Sequence, residues 1–134
     1  MKKNINKLIA DFNCFEEWQE KYTYIIELGK ELAVLDKNLK VPANIVEGCS
    51  SQVWLHYCQK NGLFFFAADS DAHIVKGLLY IVIMISNGKT KEEIMGLNFE
   101  KIFSELQLVK HLTPIRSNGL IAVVKRIKSL VRES

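Results

Sequence analysis

The chain has 134 residues, 49% of them hydrophobic and 25% charged, with a net charge of +3. That size suits one domain (residues 1–134) around one core, and that composition is the one of an ordinary globular protein rather than a disordered or fibrous one. The longest uncharged apolar run, Gly77 to Ile85, is too short to cross a bilayer, so no membrane role is expected. Met1-Lys2-Lys3-Asn4 leads into a helical pattern rather than an apolar leader. Together with three cysteines, an odd number, this fits free thiols in a reducing compartment, and the expected location is cytoplasmic.

Ile5, Leu8, Ile9 and Phe12 fall at i, i+3, i+4 and i+7, which predicts a short amphipathic helix. Asn13 with Glu16 reads as a capping box for a second helix striped by Phe15, Trp18, Tyr22, Ile25 and Leu32, fading near Leu35-Asp36. Gly29 lies on that stripe, where another backbone could approach closely. Ile45-Val46 is either a short strand or an extended lead-in. Gly48 marks a sharp turn with Cys49 at its apex. Gln52 to Lys60 alternates, with Val53, Leu55 and Tyr57 on one face. Asn61-Gly62 then predicts a type I′ hairpin, which sets Lys60 opposite Leu63 and Cys58 opposite Phe65. The return strand is Leu63 to Ala67.

Asp69-Ser70-Asp71 supplies N-cap candidates for a buried central helix over Ala72–Asn87, stopped by Gly88. Thr90-Lys91-Glu92-Glu93 is a capping box opening a short helix, and Phe99 to Leu106 is another. Thr113-Pro114 fits the start of a last helix striped by Leu120, Val123, Val124, Ile127, Leu130 and Val131. The predicted class is α+β: helices, a small antiparallel sheet, then helices. The last helix carries Lys125, Arg126, Lys128 and Arg132, but no aromatic interleaves with them, so nucleic acid is not an expected partner.

Cys14, Cys49 and Cys58 lack C-x-x-C spacing, and no histidines stand at i, i+4, so no metal site is expected. Phosphate-loop and nucleophile-elbow signatures are absent as well. What remains is thiol chemistry. Cys58 lies within a strand. Cys14 is read at the opening of a helix, where the dipole could favour a thiolate. Cys49 has Glu47 nearby, which would raise its pKa, and no adjacent histidine base. It is poorly equipped as an independent nucleophile and better suited to a partner that supplies the activation.

Four blocks follow one another along the chain: Trp18-Gln19-Glu20-Lys21-Tyr22 with Tyr24 to Gly29; Gly48-Cys49 with Ser51-Gln52-Val53-Trp54; Asp69-Ser70-Asp71 with Ile74 to Leu78; and His111-Leu112-Thr113-Pro114 with Arg116-Ser117 and Gly119-Leu120. In this order they resemble the SufE family. Ile115 and His73 depart from the family pattern. The resemblance implies a SufE/IscU-like fold and a sulfur carrier in iron–sulfur cluster assembly rather than a stand-alone enzyme. Cys49 would accept persulfide sulfur from a cysteine desulfurase, SufS-like rather than CsdA-like, and pass it to a SufB-like scaffold. Pyridoxal phosphate would belong to the desulfurase, with no cofactor on this chain. Gly48, Ser51, Gln52, Asp71 and Arg116 are the loop and docking candidates, Asp71 being either a helix cap or a clamp on the cysteine loop. Val53, Trp54 and Ile74 are the residues expected to cover Cys49. The alternatives are a metal- or cluster-binding scaffold and an activator that docks on the desulfurase without carrying sulfur.

Overall fold

In the computed structural model, which describes residues 4–134 (the side chain of Val109 excepted), the Asn4 side chain accepts from the Lys7 amide and opens α1, Ile5–Cys14. The lysine-rich start, Met1-Lys2-Lys3, lies outside the described residues. Leu8 and Phe12 bury α1 in the core. Asn13 and Cys14 finish this helix rather than opening the next, which corrects the expected capping box. The break comes at Phe15, which turns extended and sets its ring 5.4 Å from that of Tyr24. α2 is Trp18–Lys30, capped at Glu17 without a side-chain bond. It ends short of Leu35 because Glu31 and Leu32 turn back onto the carbonyls of Leu28 and Gly29.

β1 (Val53–Lys60) and β2 (Leu63–Ser70) form the two-stranded antiparallel sheet. Asn61 and Gly62 have φ of 53° and 78°, both positive as a type I′ turn needs, and Lys60 pairs with Leu63 and Cys58 with Phe65. β2 runs three residues beyond the expected Ala67. Its outer edge is occupied: the Phe64 amide bonds the Lys89 carbonyl, and the Asn87 side chain accepts from the Phe66 amide. Val53, Leu55, Phe64 and Phe66 face the core.

α3, His73–Ser86, is the central helix, with Ile74, Leu78, Leu79, Ile81, Val82 and Ile85 buried. Its N-cap is Ala72 with no side-chain cap bond, so none of Asp69, Ser70 and Asp71 plays the capping part expected of them. α2 and α3 cross almost backbone to backbone. A Cβ added to Gly29 would lie 2.8 Å from the Gly77 nitrogen, and one added to Gly77 would collide with the Ile25 carbonyl oxygen.

The Thr90–Glu93 capping box is complete and opens α4, Lys91–Met95; α5 follows at Phe99–Glu105. A single-turn α6, Leu108–His111, was not foreseen. It starts from Gln107 in the left-handed region, whose side-chain oxygen accepts from the buried Lys21 ammonium at 3.1 Å. Thr113 caps α7, Pro114–Arg132, which lays Leu120, Val123, Ile127 and Val131 into the core. All these elements share one hydrophobic cluster, an α+β architecture. No helix among the described residues is long and apolar enough to cross a membrane.

Because the Ile25 carbonyl is backbone and cannot swing away, Gly77→Ala should destabilise the protein by about 3 kcal/mol, the upper end for overpacking. Gly62→Ala meets open space and only the strain of positive φ, so it should lose about 1 kcal/mol. Urea unfolding of both variants measures this, and equal, small losses would mean that the helices separate easily at the crossing.

Candidate functional site

The cysteine loop is built on the open edge of β1. Ile45 pairs with Trp54, and the Val46 amide bonds the Val53 carbonyl at 2.9 Å, closing the loop at its base. The loop then turns at Gly48, whose φ is +92°; a Cβ there would also stand 3.3 Å from that of Ala122. Both conformation and space therefore select glycine. On the far side, Gln52 is held at both backbone groups. Its amide donates to the Asp71 carboxylate at 3.1 Å, and its carbonyl accepts from the Ser70 hydroxyl at 2.8 Å. The Asp71 side chain, freed from capping α3, thus ties the loop to the start of that helix.

Cys49 is half-buried, and its thiol donates to the Gly119 carbonyl of α7 at 3.5 Å. Beside it lies a cavity of about 30 Å³. Val53, Val75, Leu78, Leu79, Leu120 and Val123 make its apolar wall; Ser50, Ser51, Ile115 and Arg116 stand at its margin. Burial pushes the Cys49 thiol up, and burial is the cause rather than Glu47, which is exposed. The cover differs from the expected one too. Val53 lines the cavity, but Trp54 and Ile74 do not; Val75 and α7 take their places.

The raised Cys49 thiol couples stability to pH. Folding favours the protonated form, so this stabilising contribution is complete below the ordinary thiol range and fades as pH rises through it. The hydrogen bond acts in the same direction. A carbonyl oxygen accepts from S–H but repels a thiolate, so ionisation loosens the contact that holds Cys49 inward.

Arg116 sits at the cavity margin, where its guanidinium donates to the Tyr22 hydroxyl at 2.9 Å. This phenol stands 94 residues away in the chain. Ser51 lines the cavity, whereas the Gln52 side chain and His73 are exposed and do not. Trp54 is half-buried under the Lys40 ammonium, 5.2 Å from its ring. Lys40 also pairs with Asp69 at 2.8 Å, and Lys76 stands 3.6 Å from the same carboxylate. Burial alone would raise Asp69, but these lysines and the Ser70 amide hold it below the usual carboxylate range. Cys14 and Cys58 are exposed and do not line the cavity. Among the described residues no three metal-ligating side chains gather at one point. Gly119 stands in the fourth resembling block but was given no role there; a glycine on a helix flank beside the apolar stripe was the available signal, and a Cβ there would touch the Cys49 sulfur at 3.5 Å.

With Cys14 and Cys58 replaced by serine, iodoacetamide should modify Cys49 slowly, with its half-maximal rate above the pH ordinary for a thiol. Asp71→Ala should speed that reaction several-fold without lowering the unfolding free energy by more than about 1 kcal/mol, the scale of one exposed hydrogen bond. An unchanged alkylation rate would remove Asp71 from control of the loop.

Three comparisons bear on this arrangement. Residues 6–131 match the family model SufE, described as an Fe-S metabolism associated domain. An uncharacterized SufE-like protein of Rhizobium etli is 44% identical over 129 residues, 93% of this chain and 87% of that protein. The solution structure of a hypothetical protein from Thermus thermophilus superposes with a TM-score of 0.75 at 17% identity, over 96% of this chain and 93% of that one, which shows likeness of fold. On the family match and the 44% relative, the chain belongs to the SufE family of Fe-S metabolism associated domains.

Proposed function

We propose that Cys49 accepts a sulfur atom from the persulfide of a cysteine desulfurase and delivers it to an iron–sulfur cluster scaffold. The Cys49 thiolate attacks the terminal sulfur of the donor persulfide. A new S–S bond forms on Cys49, the donor's S–S bond breaks, and the donor cysteine leaves as a thiolate. The proton lost by Cys49 is available to that leaving group. Delivery repeats the exchange with Cys49 as the leaving thiolate. The desulfurase is SufS-like and brings pyridoxal phosphate; this chain supplies only the carrier thiol and works in the cytoplasm.

The observation that carries this reading is the placement of the Cys49 sulfur. It sits on a glycine-hinged loop, turned inward against a small apolar cavity, with Sγ bonded to a carbonyl instead of a base. A hydrolytic or redox nucleophile needs a lowered pKa or a partner base. A carrier needs a thiol that stays protonated until a partner engages it, and a dry recess for the sulfur it carries. The cavity has room for an added atom of that size.

After incubation with a cysteine desulfurase, pyridoxal phosphate and cysteine, intact mass spectrometry should find the parent chain one sulfur atom heavier. Cys49→Ser should take up none and should no longer accelerate desulfurase turnover, while a Cys14→Ser, Cys58→Ala double variant should retain both. Uptake by Cys49→Ser would overturn the assignment. Undiminished acceleration without uptake would instead favour an activator that docks without carrying sulfur.

A further inference from the structure

The flank of α7 turned away from Cys49 forms one wall of a second depression. Between α5 and α7 lies a groove of about 710 Å³, and no residue lines both it and the Cys49 cavity. Phe99 and Phe103 make its floor, with ring centroids 6.0 Å apart, and Val124 and Ile121 continue the apolar surface. Ile121 is 46% exposed, so this apolar surface is open to solvent at the edge of the groove. Lys125, Lys128 and Arg132 rim this surface, against one carboxylate, Glu100. Lys128 is engaged, its ammonium bonding the Leu97 carbonyl at 3.1 Å and lying over the Phe99 ring. Lys125 and Arg132 make no ion pair or side-chain hydrogen bond among the described residues.

We propose that this groove docks an acidic amphipathic helix of a partner protein. The charge is complementary: positions 125, 128 and 132 fall on one flank of α7, so a helix laid alongside meets them with carboxylates at similar spacing. The apolar floor is recessed, with Phe99 3% and Phe103 4% exposed, so only side chains projecting into the groove, and not a flat surface, would approach it. A phosphate backbone would leave that floor unmatched, and a bilayer surface would not enter it. Anchor residues at i, i+3/i+4 and i+7 suit a groove between two helices. This surface does not rest on the sulfur-carrier reading, and it leaves Cys49 free while a partner is bound.

The test uses the full chain and a fluorescein-labelled helical peptide of roughly five turns, with leucines on one face and glutamates on both flanks. Anisotropy titration should show saturable binding that weakens with salt. A Lys125→Glu, Arg132→Glu variant should bind the peptide about ten-fold or more weakly, since two favourable pairs become two repulsive ones. A second peptide with lysine in place of glutamate should bind that variant better than the parent. Ile121→Ala should weaken binding of the glutamate peptide, and amide NMR shifts should cluster at Phe99, Phe103, Ile121 and Val124. The urea unfolding midpoint and the dispersion of the amide NMR spectrum serve as the check that the variants are folded. No binding of the glutamate peptide, equal binding by the charge-reversed variant, or shifts mapped elsewhere would overturn the proposal. So would binding of phosphatidylglycerol vesicles or a single-stranded oligonucleotide that depends on these residues where the glutamate peptide fails.

Discussion

Where Gly77 of α3 meets the Ile25 carbonyl of α2, two helices approach more closely than any side chain would allow, and the site's placement depends on that approach. It sets α2 over the amino-terminal part of α3, so that Trp18 and Tyr22 reach the start of α7. Trp18 stacks on His111, ring centroids 4.7 Å apart, and the Tyr22 hydroxyl receives the Arg116 guanidinium. α7 is thereby registered on α2 through its first turn and the residues just before it. The same helix then carries the Gly119 carbonyl to Cys49, while Val75, Leu78 and Leu79 of α3 close the cavity from below. A side chain at position 77 would part the helices, and the loss would pass along these contacts to the thiol.

The thiol itself is restrained by little. Neutral hydrogen bonds contribute about 0.5–1.5 kcal/mol each, and a carboxylate acceptor somewhat more before solvent exposure weakens it. The bonds from Cys49 to Gly119, from Gln52 to Asp71 and from Ser70 to Gln52 therefore sum to a few kcal/mol. That suffices to keep the loop closed in the free protein and is within what a docking partner can offset. The restraint is also coupled to protonation. Loss of the thiol proton converts the Gly119 contact from attractive to repulsive, so forming the thiolate and releasing the loop favour one another.

Several elements were legible because a short stretch dictates them. Asn61-Gly62 both take positive φ, and the register of the whole hairpin follows from a two-residue turn. The Thr90–Glu93 box and Thr113-Pro114 are local in the same way. The Asn13–Glu16 box failed because capping is a competition: α1 already reached Cys14, and tertiary packing drew Phe15 out toward Tyr24. α6 was invisible because a single turn has no periodicity, and its start depends on Lys21, 86 residues away. At the site, Gly48 and the thiol's lack of a base could be read from neighbours in sequence. The Gly119 carbonyl and the Tyr22 hydroxyl are long-range contacts that no spacing encodes, whereas the loop clamp by Asp71 was one of two readings and its bond to the Gln52 amide favours it over the cap.

The distribution of strong and weak contacts decides where the molecule can move. The base of the loop is fixed by the β ladder, by the Val46–Val53 bond and by the Ile45–Trp54 bridge. The Lys40 and Lys76 ammonium groups converge on Asp69, opposite Trp54 in that ladder, and Lys40 covers the indole. Arg126 adds bonds to the carbonyls of Ala43 and Ile45 from α7. Beyond this frame, residues 47–52 carry no apolar anchor apart from the half-buried Cys49 itself. Motion is thus confined to a short segment with a glycine hinge at one end and the Asp71 clasp at the other. Opening it would move the sulfur outward and would leave the contacts of the strands, the ion pairs and the floor of the cavity unbroken.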